Sequence, residues 1–160
     1  MPAVQIRPNV YWIGVNDRTT DLFEGIWPIT QAGVSYNSYL INDRKKVLID
    51  LSKALKTDDF FNQIQELSPI AELDYIVLNH LEPDHTGVIN TLRQIAPRAV
   101  ILGSAKMKDM LADFYKITEN VRAVQDGELL DIGSRKLQFF YAPFVHWPET
   151  MAVSYTHLRA

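Results

Sequence analysis

The feature that most constrains the fold is an apolar run in the middle of the chain, from Asp74 to Asn79 (DYIVLN), in which polar and apolar residues do not alternate. A strand of this kind is buried on both faces, so the chain must supply a covering layer on each side. Segments with helical spacing stand before and after it, and strand-like segments stand at both ends of the chain. The order, strands first, then β-α-β-α, then strands again, predicts an α/β layer architecture built on a sheet.

The other predicted elements are short. Strands are predicted at 9–15, 34–41, 46–50, 74–79, 99–102, 121–124, 128–132 and 137–141. A hairpin turn is predicted at 42–45. The first predicted helix follows an N-cap at Thr57 and ends before Pro69, the second is stopped by Pro97, and the third follows Ser104. The helical side chains that we predict for the core, rather than for a cofactor contact, are Phe60, Phe61, Ile64, Met107, Met110 and Phe114.

The segment NHLEPDHTG begins where the buried run ends, and it places four metal-binding side chains within six positions: His80, Glu82, Asp84 and His85. Such groups avoid protein interiors unless something compensates their desolvation, and the end of a buried strand is where α/β folds build sites. If the chain stays extended past the strand, His80 and Glu82 point to the same side. Pro83 delays the bend, so Asp84 and His85 turn the other way. This geometry predicts two pairs of ligands for two neighbouring ions.

Ordinary loop chemistry is the competing interpretation of this segment. Its histidines could be plain loop residues, and Asp84 with Thr86 could cap the helix that follows. Capping would explain one isolated aspartate. It does not explain the alternation His-x-Glu-x-Asp-His, because a cap needs only one oxygen. The four residues together therefore favour a metal site.

A further ligand is expected from His146, which stands in the segment APFVHWPET directly after a predicted strand, as His80 does. Two histidines at the ends of separate strands can converge on one site. Alone, a histidine before Trp-Pro would be a weak signal. The prediction for His146 therefore depends on the segment NHLEPDHTG. That segment supplies only two side chains to each ion, so further ligands must come from elsewhere in the chain.

The composition removes several other chemistries. The chain has no cysteine, which excludes disulfides, thiol nucleophiles, zinc-finger clusters and thiolate-held iron–sulfur centres, so imidazole and carboxylate must hold any metal. The net charge of -3 offers no basic field to a phosphate backbone, and no nucleic-acid partner is expected. No apolar run approaches the ~18 residues of a membrane span, and the N-terminus lacks the core of a signal peptide. We therefore expect a cytoplasmic protein without a membrane partner.

The motifs NHLEPDHTG and PFVHWPET together resemble those of flavodiiron proteins, the flavin-linked oxygen and nitric oxide reductases on a metallo-β-lactamase fold. The segments VYWIGVNDRTTDLFEG and VSYNSYLINDRKKVLID are also similar to that family's N-terminal strands. The resemblance implies an αββα sandwich, incomplete at the C-terminus, that holds two iron ions. In the family pattern His80, Glu82 and His146 bind one iron. Asp84 and His85 belong to the other, although some members leave the second of these off the metal.

The resemblance extends from the start of the chain to about Met151. The family also uses a bridging aspartate and a last histidine farther on, followed by a flavodoxin-like domain that binds FMN, and these 160 residues contain none of them. We therefore interpret residues 1–153 as the N-terminal part of a metallo-β-lactamase-like diiron domain in a truncated protein. Residues 154–160 resemble translated adapter sequence and predict a non-native tail, in which His157 is expected to bind nothing.

The resemblance implies an oxidoreductase that reduces O2 to water or NO to N2O at a diiron site re-reduced by FMN. The implied partners are O2 or NO, a rubredoxin-like electron donor and a second copy of the protein in a homodimer. These 160 residues alone are expected to be inactive.

Two other functions stay open. One is a dinuclear zinc hydrolase, since hydrolases of this fold look like His-x-His-x-Asp-His, with an imidazole at the position of Glu82. Oxygen-rich coordination suits iron and additional imidazole suits zinc, so Glu82 favours iron. The other is a non-catalytic domain that keeps the loop for structure.

Overall fold

The computed structural model describes residues 2–23 and 25–157, with the backbone alone described at 156 and 157. In this part of the chain the strands are β1 Val4–Arg7, β2 Val10–Trp12, β3 Val15–Asp17, β4 Leu22–Phe23, β5 Trp27–Pro28, β6 Val34–Tyr36, β7 Tyr39–Asn42, β8 Lys46–Ile49, β9 Tyr75–Val77, β10 Val100–Gly103, β11 Val121–Ala123, β12 Leu129–Asp131, β13 Arg135–Tyr141 and β14 Met151–His157.

The α-helices of the described residues are α1 Thr57–Leu67, α2 Pro83–Thr86, α3 Ile89–Ile95 and α4 Ala105–Met110. Turns of 3-10 helix cover Ala54–Lys56 and Ile70–Glu72, and a π-helix covers Leu111–Tyr115 directly after α4. None of the helices in the described ranges has the length and apolar character that crossing a bilayer requires.

Seven strands form one mixed sheet in the order β1-β2-β7-β8-β9-β10-β11. Neighbours from β1 to β8 are antiparallel, whereas β8, β9, β10 and β11 are parallel to one another. The register places Leu48 beside Ile76 and Ile76 beside Ile101, so the parallel strands end at nearly the same level. Their carboxyl ends form one edge of the sheet, which is where open α/β sheets bind ligands.

One face of this sheet carries the helices. Leu48, Ile76 and Ile101 point to that face and belong to a cluster with the buried apolar residues of α1, α3 and α4. Each of these three strand residues is completely shielded from solvent. The helical layer therefore covers the central strands fully, as the non-alternating run at 74–79 requires.

The other face packs on a second sheet. Ile49, Val77 and Leu102 are each the next residue along their strands, so they point the opposite way. They form a second cluster with apolar residues of the antiparallel sheet β12-β13-β14. The described residues thus form three layers, helix–sheet–sheet. The helices bury their apolar side chains in the first cluster, so within this part of the chain the outer face of the second sheet has no helical layer.

The hairpin predicted at 42–45 is confirmed, since it joins β7 to β8 in an antiparallel pair. Two predicted strands, 9–15 and 34–41, are each split in the structure into two strands, because their halves pair in different places. β2 pairs with β7 in the large sheet, whereas β3 pairs with β6 in a separate ribbon. Gly14, between β2 and β3, lies close to the end of β6, since a Cβ at this position would be 2.3 Å from the carbonyl oxygen of Tyr36.

Most of the predicted core residues are confirmed. Phe61 is partly buried against the first cluster, and four others are buried: Phe60, Ile64, Met107 and Met110. The prediction for Phe114 is wrong, because its side chain is 69% exposed. It assumed α-helical spacing throughout, but the chain enters the π-helix at Leu111. The wider turn rotates Phe114 out to solvent and brings Tyr115 against the cluster.

The two predicted N-caps have different outcomes. Ser104 caps α4, since its Oγ accepts a hydrogen bond of 3.1 Å from the backbone N–H of Met107. Thr57 is not a cap but the first residue of α1, because a turn of 3-10 helix precedes it. Its Oγ1 donates instead to the carbonyl oxygen of Ala54 at 2.6 Å.

β14 pairs with β13 along its full length, from Met151 opposite Tyr141 to His157 opposite Arg135. The tail predicted at 154–160 therefore begins inside a strand, and its last three residues lie outside the described ranges. The non-native origin of this tail stays a prediction, as does the absence of a ligand role for His157.

Candidate metal centre

The candidate site lies at the carboxyl ends of the parallel strands. Asp50 directly follows β8, and the segment NHLEPDHTG begins two residues after β9. The bend follows Glu82, as the delayed bend in the prediction requires, because Pro83 is the first residue of α2. Proline suits this position, since its fixed φ is helical and its missing N–H would have had no partner. Asp84 and His85 therefore occupy the first turn of a helix rather than an extended loop.

Side-chain and backbone contacts hold α2 in place. The hydroxyl of Thr86 is directed at the carbonyl oxygens of Leu81 and Glu82, both at 3.1 Å. Because that hydroxyl has one proton to donate, the hydroxyl of Tyr115, 2.6 Å away, is the donor in their shared hydrogen bond. On the other side, a Cβ at Gly87 would lie 2.4 Å from the backbone nitrogen of Ala54. The loop is thus fixed between two neighbouring segments.

Three of the predicted ligands meet in what we term the Glu82 cluster: His80, Glu82 and His146. One ligand atom from each lies within 4.8 Å of the others. Oε2 of Glu82 is 2.6 Å from Nε2 of His146 and 3.4 Å from Nε2 of His80. The carboxylate and one imidazole come from the first loop, and the second imidazole comes from a loop 64 residues away in the chain. The expected convergence of the two histidine motifs is therefore present.

A second group, which we term the Asp50 cluster, contains Asp50, His80 and His85. Nδ1 of His85 lies 3.7 Å from Oδ2 of Asp50, and the ring centroids of His80 and His85 are 4.4 Å apart. His80 belongs to both clusters. The two sets of donor atoms thus share one imidazole, whereas the sequence predicted two separate pairs of ligands.

Asp84 takes a different place from the other predicted ligands. Its Oδ2 lies 3.5 Å from Nε2 of His85, but Asp84 belongs to neither of the close groups found among the described residues. Asp50 belongs to one of these groups, although it is not one of the predicted site residues. The sequence does contain a signal for it, because the predicted strand 46–50 ends at Asp50 and α/β folds place their sites at strand ends.

Burial has opposite effects on the two titratable groups of the Asp50 cluster. Burial raises the pKa of Asp50, and this effect outweighs the charge of His85 and two hydrogen bonds, which lower it. Those hydrogen bonds come from the N–H and Nδ2 of Asn79, at 2.8 and 2.9 Å. Burial lowers the pKa of His85, against the charge of Asp50. Neutral imidazole is the form that binds metals, and a bound cation would favour the ionised carboxylate.

These donor atoms fit a metal ion. Ligand atoms bonded at about 2.0–2.2 Å to one ion lie about 3 Å apart, close to the 2.6 and 3.4 Å seen around Oε2 of Glu82. The set is mixed nitrogen and oxygen without thiolate, because the chain has no cysteine. Such a set is compatible with either iron or zinc. The carboxylate of Glu82 moves the balance toward iron.

The loop that carries His146 is closed on itself. The N–H of Ala142 donates to the carbonyl oxygen of Thr150 at 2.9 Å, and the N–H of Phe144 donates to that of Trp147 at 2.8 Å. Phe144 has a φ of 65°, which is unusual for a bulky residue and costs about 1–3 kcal/mol. A loop that keeps such a residue is held by its surroundings in one conformation.

The sequence of the chain is similar to known proteins over most of its length. The profile of the ODP family beta lactamases matches residues 34–159. Flavo-diiron protein FprA2 of Clostridium acetobutylicum is 38% identical over 153 residues, which are 94% of this chain and 38% of that protein. The anaerobic nitric oxide reductase flavorubredoxin of Salmonella arizonae is 35% identical over 151 residues, which are 93% of this chain and 32% of that protein.

Solved structures give the same result. A flavoprotein from Thermotoga maritima superposes with a TM-score of 0.89 at 32% identity, over 97% of this chain and 40% of its own. Rubredoxin oxygen:oxidoreductase from Desulfovibrio gigas superposes with a TM-score of 0.87 at 30% identity, over 94% of this chain and 38% of its own. The predicted metallo-β-lactamase-like fold and the resemblance to flavodiiron proteins are both confirmed. The chain spans less than half the length of each of these relatives.

Proposed function

The chain belongs to the ODP family of β-lactamase-fold proteins, and on that premise we propose that it carries the diiron centre of a flavodiiron oxidoreductase. The observation that supports this most directly is the Glu82 cluster, in which one carboxylate oxygen lies between two imidazoles. His85 lies beside it, with a ring nitrogen 3.5 Å from a carboxylate oxygen of Asp84, and these two side chains offer donor atoms to a second ion. The carboxylate of Glu82 between two imidazoles is the feature that favours iron over the zinc of a hydrolase.

The proposed ligands divide between two ions. His80, Glu82 and His146 would hold one iron, and Asp84 and His85 would hold the other. Asp50 lies close to His85, but its Oδ1 and Oδ2 each accept a hydrogen bond from Asn79. We therefore assign Asp50 to orienting the loop that carries His80.

Iron bound here would supply single electrons to a small diatomic substrate. The chain's own residues fix the donor atoms before binding and leave few protein ligands on each ion, which gives a diatomic molecule room to bind. The proposed substrates are O2 or NO, because the relatives include a nitric oxide reductase and a rubredoxin oxygen:oxidoreductase. We assign FMN and the site of a rubredoxin-like donor to residues outside these 160, which contain no glycine-rich phosphate motif. A homodimer in the cytoplasm completes the proposal.

Metal analysis of the longer protein tests this function. After iron-replete expression we expect two irons per chain, and oxidation of a reduced rubredoxin by O2 or NO. Glu82→Ala should lower iron content and turnover together, whereas Glu119→Ala, a change at an exposed carboxylate, should lower neither. One metal ion per chain, or stoichiometric zinc under the same conditions, would contradict the proposal.

A further inference from the structure

His146 is the least supported member of the Glu82 cluster. Its side chain is 68% exposed, and its ring nitrogen contacts Glu82 at 2.6 Å. The turn that follows it is closed by the N–H of Thr150, which donates to the carbonyl oxygen of Trp147 at 3.2 Å, and by the N–H of Trp147, which donates to Oγ1 of Thr150 at 3.1 Å. These bonds shape the loop but do not fix it against the loop that carries His80 and Glu82. Some other group must set the distance between the two loops.

Glu149 joins the two loops directly. Its side chain is buried, with 1% exposed, and its Oε1 accepts a hydrogen bond of 2.8 Å from the backbone N–H of Leu81. Leu81 stands between His80 and Glu82 in the chain. The carboxylate three residues after His146 therefore binds the backbone midway between the two other ligands of the same cluster.

Glu149 is itself held at its backbone. Its carbonyl oxygen accepts a hydrogen bond of 2.8 Å from Oγ of Ser104, the residue that caps α4. Two residues later, the N–H of Met151 donates to the carbonyl oxygen of Asn79 at 2.8 Å. The backbone on both sides of the Glu149 side chain is therefore held in place, and the carboxylate reaches Leu81 from a fixed position.

The buried carboxylate of Glu149 lowers the stability of the fold, which indicates that it is kept in order to position the loop that it contacts. A buried carboxylate loses its hydration and needs hydrogen bonds in return. Within the described residues Oε1 has a hydrogen-bond partner, whereas the buried Oε2 has none. An apolar side chain would fill the same space without this cost but could not accept the bond from Leu81.

We propose that Glu149 is a positioning residue, which holds the loop of His146 against the backbone of Leu81 and so places His146 beside His80 and Glu82 before a metal binds. The inference rests on the proposed function, because it assigns a purpose to the Glu82 cluster. The Asp50 cluster takes no residue from the loop of His146. Loss of the carboxylate should therefore weaken the Glu82 cluster far more than the Asp50 cluster.

Cobalt(II) titration of the longer protein, prepared free of iron and FMN and followed by visible absorption and by calorimetry, measures both clusters. We expect two cobalt ions per chain, and His146→Ala identifies the ion of the Glu82 cluster. Glu149→Ala should weaken that ion about 10–100-fold, the usual effect of removing a residue that orients a ligand, and change the other by less than about threefold. Glu149→Gln keeps a carbonyl oxygen for the N–H of Leu81 and should retain the parent affinity.

A metal-free measurement separates this inference from the proposed function. Hydrogen exchange of the Leu81 amide should be slow in the parent chain and in Glu149→Gln, and faster in Glu149→Ala, while the Ile76 amide is unchanged. Failure of the parent to bind cobalt at either cluster would overturn the proposed function and, with it, the purpose given to Glu149. Cobalt binding that Glu149→Ala leaves intact, or weakens equally at both clusters, would overturn the inference alone. If Glu149→Ala does not fold, loss of the Glu82-cluster ion in a folded Glu149→Gln would overturn it as well.

Discussion

Asp17 offers the sharpest test of how this fold supports its loops. Its carboxylate is completely buried and accepts hydrogen bonds from the N–H and hydroxyl of Thr19, the N–H and hydroxyl of Thr20, and the hydroxyl of Tyr36. Nζ of Lys56 lies 3.4 Å away, on a side chain that is 12% exposed. Lys56 ends the 3-10 turn that contacts Gly87 from behind, so this network supports the candidate metal loop.

We predict that Asp17→Asn lowers the free energy of unfolding by about 3–5 kcal/mol at pH 7, the usual cost of breaking a buried ion pair by removing one partner. The amide keeps the size of the carboxylate but removes its charge, and its NH2 group would face hydroxyl and N–H donors. The ammonium of Lys56 keeps its 2.8 Å bond to Oγ1 of Thr19, which moves the expected loss toward the lower end of that range.

The pH dependence gives an independent check. Burial raises the pKa of Asp17, but the hydrogen bonds from Thr20 and Thr19 and the charge of Lys56 outweigh it and hold the pKa well below its ordinary value. The stability from this group is therefore present above the ordinary pKa of about 3.9 and is lost as the pH falls toward the folded value. Below pH 4 the unfolded chain takes up a proton that the folded chain does not. The gap between parent and Asp17→Asn should then shrink by at most about 1.4 kcal/mol per pH unit.

Urea denaturation of both chains at pH 7, 4, 3 and 2 measures this gap. Asp113→Asn, a change at an exposed aspartate, is the matched control and should follow the parent at every pH. A loss below about 1 kcal/mol at pH 7 would show that the ion pair and its hydrogen bonds contribute little. A gap that stays constant from pH 4 to pH 2 would refute the assignment of the lowered pKa to Asp17.

Four further predictions concern the core and the site. Met110→Ala should cost about 2–5 kcal/mol in urea denaturation, and Phe61→Ala, at a partly buried site, about 2 kcal/mol, without a change in metal affinity at either position. Gly87→Ala should weaken cobalt binding, since its Cβ would meet the backbone of Ala54; an unchanged titration would contradict the tight contact. Glu82→Ala should lower occupancy of the ion shared with His146 more than that of its neighbour, as read by cobalt absorption. The 160-residue chain, reconstituted anaerobically with ferrous iron, FMN and a reduced donor, should consume neither O2 nor NO above the free-iron and free-flavin background.

The sequence predicts the layers and the position of the site because both depend on local patterns. The non-alternating run at 74–79 requires cover on both faces, and the crowded segment after it can only stand at a strand end. Predictions from local patterns fail where a helix changes its number of residues per turn, or where one strand pairs with two different neighbours. Phe114 is exposed because a π-helix follows α4, and the strands predicted at 9–15 and 34–41 divide because each half pairs with a different neighbour.

The predicted ligands are visible in the sequence because they crowd together, whereas the groups that orient them are single residues. Asp50 binds a backbone N–H 29 positions away, and Glu149 binds one 68 positions away. An isolated carboxylate in a sequence does not reveal which N–H it will reach, because that depends on how the sheets and loops pair.

Both buried carboxylates act on the first loop from opposite sides. Asp50 holds Asn79, just before His80, and Glu149 holds Leu81, just after it. Backbone N–H donors are the natural partners here, since their positions follow from the chain rather than from a rotamer. His80, the member shared by both clusters, is therefore fixed on each side by a carboxylate from another part of the fold. In contrast, Glu82 and His85 depend on α2 and on the hydroxyl of Thr86 for their positions. Loss of Glu149 should weaken the Glu82 cluster far more than the Asp50 cluster, because it also releases the loop of His146, whereas a change at Asp50 should weaken mainly the Asp50 cluster.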